Sequence, residues 1–265
     1  MDGLAQLKEA QKEGWRHFAP LETVTIPSAA RLVRFAAISP GTRVLDVGCG
    51  TGVVAITAAR LGARVDAIDL TPQLIERARE NARIAQVEIQ FLEADAEQLP
   101  FRDGEFDVVV SQFAHMFAPR PEVATREMLR VLRSGGTIAF STWPPELLVG
   151  RTQQLAARYM PPPPPGVAPP ISWGDPQIVI QRLGQVVTEI VFDRDSILVP
   201  ALSPQHFRAN IERAAGPVIK MVQTLSASQP ERLEAYRAEF DVIVSEYLRD
   251  NLVQQGYLLT RARKL

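Results

Sequence analysis

The segment Val44-Leu45-Asp46-Val47-Gly48-Cys49-Gly50-Thr51-Gly52 places three glycines at alternating positions, just after an apolar run that carries a carboxylate. Glycines between a strand and a helix let the backbone turn tightly and remove the Cβ atoms that would hold a ligand away. The helix that follows presents free N–H groups at its start. Two ligand classes use such a loop. Dinucleotides want G-x-G-x-x-G and seat a pyrophosphate on the helix. Gly48 and Gly50 match its first two positions, but Val53 stands where a third glycine or alanine belongs. Asp46, two residues before Gly48, would repel a pyrophosphate. It suits a ligand that carries a positive ammonium group.

This stretch resembles the S-adenosylmethionine signature of class I methyltransferases, particularly the broad methyltransferase type 11 group. Ubiquinone and menaquinone C-methyltransferases are similar in the same region. The resemblance covers residues 41 to 142 well and the remainder poorly. It implies S-adenosyl-L-methionine as cofactor and S-adenosyl-L-homocysteine as product, with the loop Gly48, Cys49, Gly50 and Gly52 at the cofactor. Asp69, followed by Leu70-Thr71-Pro72, matches the acid that takes both ribose hydroxyls; one carboxylate offers two acceptor oxygens to a cis-diol. Asp95-Ala96-Glu97-Gln98-Leu99-Pro100-Phe101 implies that Asp95 accepts from the adenine amino group while Ala96 adds backbone contact. Leu129 to Gly136 resembles the helix-to-strand turn before strand five. Taken singly, each feature has a plain alternative: any βα turn, a solvated strand end, a turn residue. In register on one βαβ ladder, they support one another. Cys49 reads as a small residue that fits its loop.

Methyl transfer from a sulfonium is an in-line displacement, so positioning does most of the work and can supply about 7–11 kcal/mol. A general base is needed only when the acceptor loses a proton, and adds about 10²–10⁴-fold. The candidate base is His115, in Ser111-Gln112-Phe113-Ala114-His115-Met116. Histidine titrates near neutrality, and this segment leaves strand four at the edge where open α/β sheets bind ligands. The alternative is a histidine that satisfies a carbonyl or lines the pocket. Ser111 and Gln112 are further cofactor candidates, Gln112 at the methionine end; His17 and His206 read as surface residues. Methyltransferases that act on amino groups of DNA bases carry Asn/Asp-Pro-Pro-Tyr/Phe after strand four, whereas Ser-Gln-Phe-Ala stands here. Three dispersed histidines and one cysteine form no metal-ligand cluster.

The elements that must position these residues alternate. Strands are expected at 43–47, 64–69, 87–92, 106–111 and 137–142. Helices are expected at 53–59, at 72–85 with Thr71 as N-cap, and at 122–133, stopped by Ser134-Gly135-Gly136. That alternation implies βαβ units and a parallel sheet. Before this block come an amphipathic helix within the first twenty residues and a second helix opened by Pro27. After it come a five-proline run, Pro161 to Pro165, a strand near 186–199 bent at Asp193 to Asp195, helices over 203–250 interrupted near Gly216-Pro217 and Ser228 to Pro230, and a final strand at 256–260. The expected fold is α/β, Rossmann-like, with a seven-stranded, mostly parallel sheet, one antiparallel strand at its edge and helical lid insertions. The last strand should pair with the one near 186–193. A single domain 1–265 is expected: N-terminal helices 1–40, a cofactor-binding core 41–142, an acceptor or lid region 143–252, and the final strand 253–265.

The 265 residues carry a formal net charge of −1, which draws the chain to neither nucleic acid nor an anionic membrane. A lone cysteine precludes an internal disulfide. Neither an apolar run of membrane-spanning length nor a leader pattern at Met1 to Gln6 stands in the sequence, so a cytoplasmic protein is expected. The implied partner is a small-molecule acceptor methylated at carbon, oxygen or nitrogen. Trp15, Phe18, Trp143, Tyr159, Trp173 and Phe207 would favour an apolar or aromatic one if they line the site, or else form the core of the insertions. Rival readings are an enzyme of the same fold that binds the cofactor without methyl transfer, a non-enzymatic binding protein, and a nicotinamide-dependent oxidoreductase, which Val53 and Asp46 disfavour.

Overall fold

The computed structural model describes residues 3–265. The reading of the first residues therefore lies partly, at Met1 and Asp2, outside the described residues. The βαβ ladder runs β1 (Arg43–Val47), α3 (Val53–Arg60), β2 (Arg64–Asp69), α4 (Pro72–Ile84), β3 (Gln90–Glu93), β4 (Phe106–Gln112), α5 (Pro121–Val131) and β5 (Leu132–Thr142), preceded by α1 (Gly3–Trp15) and α2 (Glu22–Phe35). Then come α6 (Leu148–Ala157), α7 (Pro176–Leu183), β6 (Val187–Pro200), α8 (Pro204–Ala214), α9 (Gly216–Ser228), α10 (Pro230–Ser245), the two-residue β7 (Leu248–Arg249) and β8 (Leu252–Lys264). Short 3₁₀ turns cover His115–Phe117 and Pro170–Gly174.

The sheet order is β3-β2-β1-β4-β5-β8-β6, with β7 hung on β8. β1 to β5 are mutually parallel, and β8 runs antiparallel between β5 and β6. The expected pairing of the last strand with the one near 186–193 is present, as in Phe192 opposite Thr260. Strand order reverses between β1 and β4, so the carboxyl ends of these two strands flank the crevice where such sheets bind ligands. Prolines begin α4, α5, α7, α8 and α10, where the missing N–H is an orphan donor in any case. Ser203 caps α8 by accepting the His206 N–H.

Several local expectations change. α2 starts at Glu22 and runs through Pro27. Its first residue is anchored from outside, since the Glu22 carboxylate takes Arg77 at 2.6 Å and Asn81 at 3.0 Å, and tertiary anchoring outweighs the proline's lost hydrogen bond. Thr71 sits at the N-cap of α4 without a capping bond from its hydroxyl; its N–H donates instead to Asp69. α5 ends at Val131, and Ser134-Gly135-Gly136 form an irregularity inside β5, between the pairs Phe106–Leu132 and Val108–Thr137. β6 is irregular between Thr188 and Val191, with Glu189 at φ +51°, and not at Asp193 to Asp195.

Two hydrophobic clusters form. One lies on both faces of the sheet; the other joins α6, α8, α9 and α10 through Leu148, Phe207, Met221, Tyr236 and Phe240. The second is a helical cap. α1 reaches it where Gly14 and Gly216 meet backbone to backbone: a Cβ on Gly216 would lie 2.5 Å from the Gly14 carbonyl carbon.

Candidate active site

The loop between β1 and α3 uses positive φ at Gly48 (+70°), Gly50 (+55°) and Gly52 (+86°), a region costly for residues with a Cβ. At Gly48 space forbids a side chain too, because a Cβ there would meet that of Ala114 at 2.4 Å. At Gly50 the space within 4 Å of such a Cβ is open. The loop is tied to β2: Cys49 N–H donates to the Ile68 carbonyl (2.8 Å) and Gly50 N–H to Asp69 Oδ2 (2.9 Å). Thr71 N–H donates to Asp69 Oδ1 at 2.8 Å. Burial raises the Asp69 carboxyl above the usual range, and these backbone donors pull it back. Leu70, beside it, is half-buried.

Asp46 is 1% exposed. Its Oδ2 accepts the Ala55 N–H at 3.0 Å, and its Oδ1 has no partner. Burial pushes its pKa up to about 7, against the Ala55 hydrogen bond and aided by the negative charge of Asp69. A buried carboxylate with an orphaned oxygen is costly unless a cation or donor meets it. Burial likewise raises the Cys49 thiol, which fits a packing residue.

On the far side of β2, Asp95 Oδ1 accepts the Glu97 N–H at 2.9 Å, and Ala96 is half-buried between them. α1 closes on this loop: Lys8 Nζ lies 2.6 Å from both Asp95 Oδ2 and Glu97 Oε2. Glu97, buried, also takes the Arg120 N–H and guanidinium at 2.6–3.0 Å. Lys8 and Glu97 thus join the candidates, though only the tertiary fold brings a lysine from the first helix to this loop.

After β4 the chain turns sharply, with Phe113 at φ +54°. Ser111 Oγ donates to the Val47 carbonyl at 2.7 Å and accepts the His115 N–H at 3.0 Å. The Gln112 amide nitrogen is taken by Thr25 and Ser28 of α2, and its Oε1 has no partner. His115 is 3% exposed and neither ring nitrogen has a partner. Its ring packs 4.5 Å from Phe140 and 4.7 Å from Trp173, centroid to centroid. Burial, then the positive charge of Arg182, drop its pKa to about 3, so the imidazole is neutral. His17 and His206 are exposed.

The six aromatic residues divide. Tyr159 and Phe207 pack on Tyr236 and Phe240 in the helical cap. Trp143 stacks on Phe113 at 3.9 Å, and Trp173 packs on His115, both at the carboxyl ends of β4 and β5. Trp15 packs on Phe18 and on Phe117, just beyond His115. Among the described residues, no group of three His, Cys, Asp or Glu could hold a metal, and no helix is long and apolar enough to cross a membrane.

A family profile described as a methyltransferase domain matches residues 45–140, which spans the loop, Asp69, Asp95 and His115. Uncharacterized protein Rv1403c of Mycobacterium tuberculosis (strain ATCC 25618 / H37Rv) is 38% identical over 244 residues, covering 92% of this chain and 89% of that one. A ubiquinone biosynthesis O-methyltransferase of Xanthomonas campestris pv. campestris (strain B100) is 39% identical over 104 residues, or 39% of this chain and 44% of that one. Among solved structures, a candidate methyltransferase (BH2331) of Bacillus halodurans superposes with a TM-score of 0.61 at 19% identity, covering 90% of this chain and 99% of that one. The chain belongs to one family with the mycobacterial protein, carries a methyltransferase domain over residues 45–140, and shares its fold with the Bacillus halodurans structure.

Proposed function

We propose that the protein methylates a small molecule by in-line transfer, with S-adenosyl-L-methionine as donor. The observation that carries this reading is the orphaned Asp46 Oδ1, buried at the end of β1 and directly before the Gly48–Gly50 turn. A carboxylate there suits the ammonium of the donor's methionine end and opposes a pyrophosphate. Gly50, with open space where a side chain would stand, leaves room for a ligand against the loop.

In this reading Gly48, Cys49, Gly50 and Gly52 shape the cradle. Asp69 and Leu70 hold the ribose, and Asp95 with Ala96 holds the adenine. The Gln112 Oε1 faces the methionine end as a free acceptor, while Ser111 positions the turn. Lys8, which pairs with Asp95 and Glu97, keeps α1 folded over the adenine end. When bound, the donor supplies a methyl group already activated by the positive sulfonium. The chain's own task is to align the acceptor and exclude water, a role this reading gives to α1 and the helical cap. His115 is not assigned as a base, because a group with a pKa near 3 accepts a proton poorly at neutral pH. Its neutral ring is an orienting group. Trp143 and Trp173 support an apolar or aromatic acceptor, and cytoplasmic residence is part of the same reading.

The test is isothermal titration with S-adenosylmethionine, S-adenosylhomocysteine and NAD. Micromolar binding of the first two, about −8 kcal/mol, without NAD binding is expected. NAD binding alone overturns the reading. Accumulation of S-adenosylhomocysteine during an acceptor screen separates methyl transfer from binding without turnover.

A further inference from the structure

Beside the donor crevice lies a stack of rings and one cation with polar atoms that the protein does not satisfy. His115 and Trp173 are 3% and 2% exposed. Both imidazole nitrogens, the Trp173 indole nitrogen and Arg182 Nη1 are buried without hydrogen-bond partners. The Arg182 guanidinium carbon lies 4.6 Å from the Trp173 ring centroid, and the His115 ring centroid lies 4.7 Å from the same ring. Arg182 Nη2 donates to Ser172 Oγ at 3.0 Å. It has no ion pair among the described residues: Glu122 acts on it only through its charge, and burial lowers its pKa. Buried donors and cations are normally paired, so several such atoms gathered in one place mark a site built for a partner.

The position is catalytic in address. Ala114, the residue before His115, abuts Gly48 of the cofactor loop. Ser111 pins the His115 backbone to the end of β1. Thr142, the last residue of β5, donates to the Trp173 carbonyl at 2.9 Å, which fixes that ring's backbone. Hydrogen bonds thus anchor the cluster at the carboxyl edge of β4 and β5, the edge where open α/β sheets bind ligands.

We propose that His115, Trp173 and Arg182 together bind the carboxylate of an acidic methyl acceptor. The inference rests on the methyltransferase reading and adds its substrate class. A carboxylate has two oxygens and about four acceptor positions. The guanidinium, the indole and the neutral imidazole each offer an N–H. The guanidinium also supplies the counter-charge, and charge-assisted bonds of this kind are the strong ones. The aromatic walls favour an apolar or aromatic body behind the acid. A cationic amine acceptor meets repulsion from Arg182 and is selected against.

The experiment titrates the protein saturated with S-adenosylhomocysteine with benzoate, phenylacetate and hexanoate, and with the three matching amides. At least one acid should bind at least tenfold more tightly than its amide. It should move the ¹⁵N resonances of the His115 ring, which the amide leaves in place. Arg182→Gln should bring acid and amide within twofold of each other, with the melting temperature and the S-adenosylhomocysteine affinity unchanged. Trp173→Phe, which keeps a ring and loses the N–H, should weaken the acid several-fold. Acids that bind no better than amides overturn the inference, as does an acid preference that survives in Arg182→Gln. Should either variant fail to fold, the wild-type acid-to-amide ratio and the His115 resonances decide alone. If S-adenosylhomocysteine itself does not bind, the underlying methyltransferase reading falls, and this inference with it.

Discussion

The N–H of Gly50 donates to Asp69 Oδ2 at 2.9 Å, which makes the carboxylate at the end of β2 a strut for the loop that follows β1. The other oxygen holds the Thr71 N–H and the start of α4. Asp69→Ala removes the strut and, with it, the acceptor proposed for the ribose. The affinity for S-adenosylhomocysteine should fall by about 1–3 kcal/mol in a calorimetric titration. Unchanged affinity would remove Asp69 from the ribose site.

Asp46 predicts two opposite pH effects. Its pKa is pushed up to about 7 in the fold by burial, against about 3.9 unfolded. The folded state thus binds the extra proton, and stability in the free protein declines as pH rises from about 4 to about 7. The proposed ammonium contact needs the ionised form, so on that reading affinity should decline about tenfold per unit as pH drops below about 7. Asp46→Asn should flatten both curves, raise the melting temperature at pH 8 and weaken binding there. Thermal melts and titrations at pH 6, 7 and 8 check all of this. A pH-independent affinity in the wild type contradicts the ammonium assignment.

Gly48 and Ala114 touch across the site. Gly48→Ala places a Cβ 2.4 Å from that of Ala114, on a backbone at φ +70°. Overpacking and backbone strain should together destabilise the fold by about 2–4 kcal/mol in urea. Adding Ala114→Gly should recover the steric share only. Full recovery would mean that the backbone conformation carries no cost.

His115→Phe keeps a ring between Phe140 and Trp173 and removes two nitrogens without partners. Replacing unsatisfied polar atoms with apolar ones of similar shape is neutral or stabilising, so the melting temperature should hold or rise. Turnover should survive with a raised acceptor KM and an unaltered pH profile between about 5 and 9. Loss of an acidic limb from that profile would restore His115 as a base.

Much of the ladder was legible because short-range rules set it. Alternating glycines after an apolar run, prolines at helix starts and five apolar strands each depend on neighbours within a few residues. The breaks near Gly216-Pro217 and Ser228 to Pro230 fall between α8, α9 and α10 for the same reason. Local signals misplaced the start of α2, because Glu22 is held by Arg77 and Asn81, more than fifty residues away in sequence. They also misread Ser134 to Gly136 as a helix stop, where pairing across to β4 draws these residues into β5.

The sequence by itself determined the class of fold, the glycine loop after β1 and the acids near the ends of β1, β2 and β3, since these follow from residue types at short spacing. Only the tertiary structure decided what each side chain meets. It put Lys8 on Asp95, turned the Gln112 amide toward α2 and left Asp46 Oδ1 unpaired. It also enclosed His115 between Phe140 and Trp173 and brought up Arg182 from α7, which no local pattern connects to β4. Burial and the charge of a distant residue set an imidazole's chemistry, and both are properties of the packed chain.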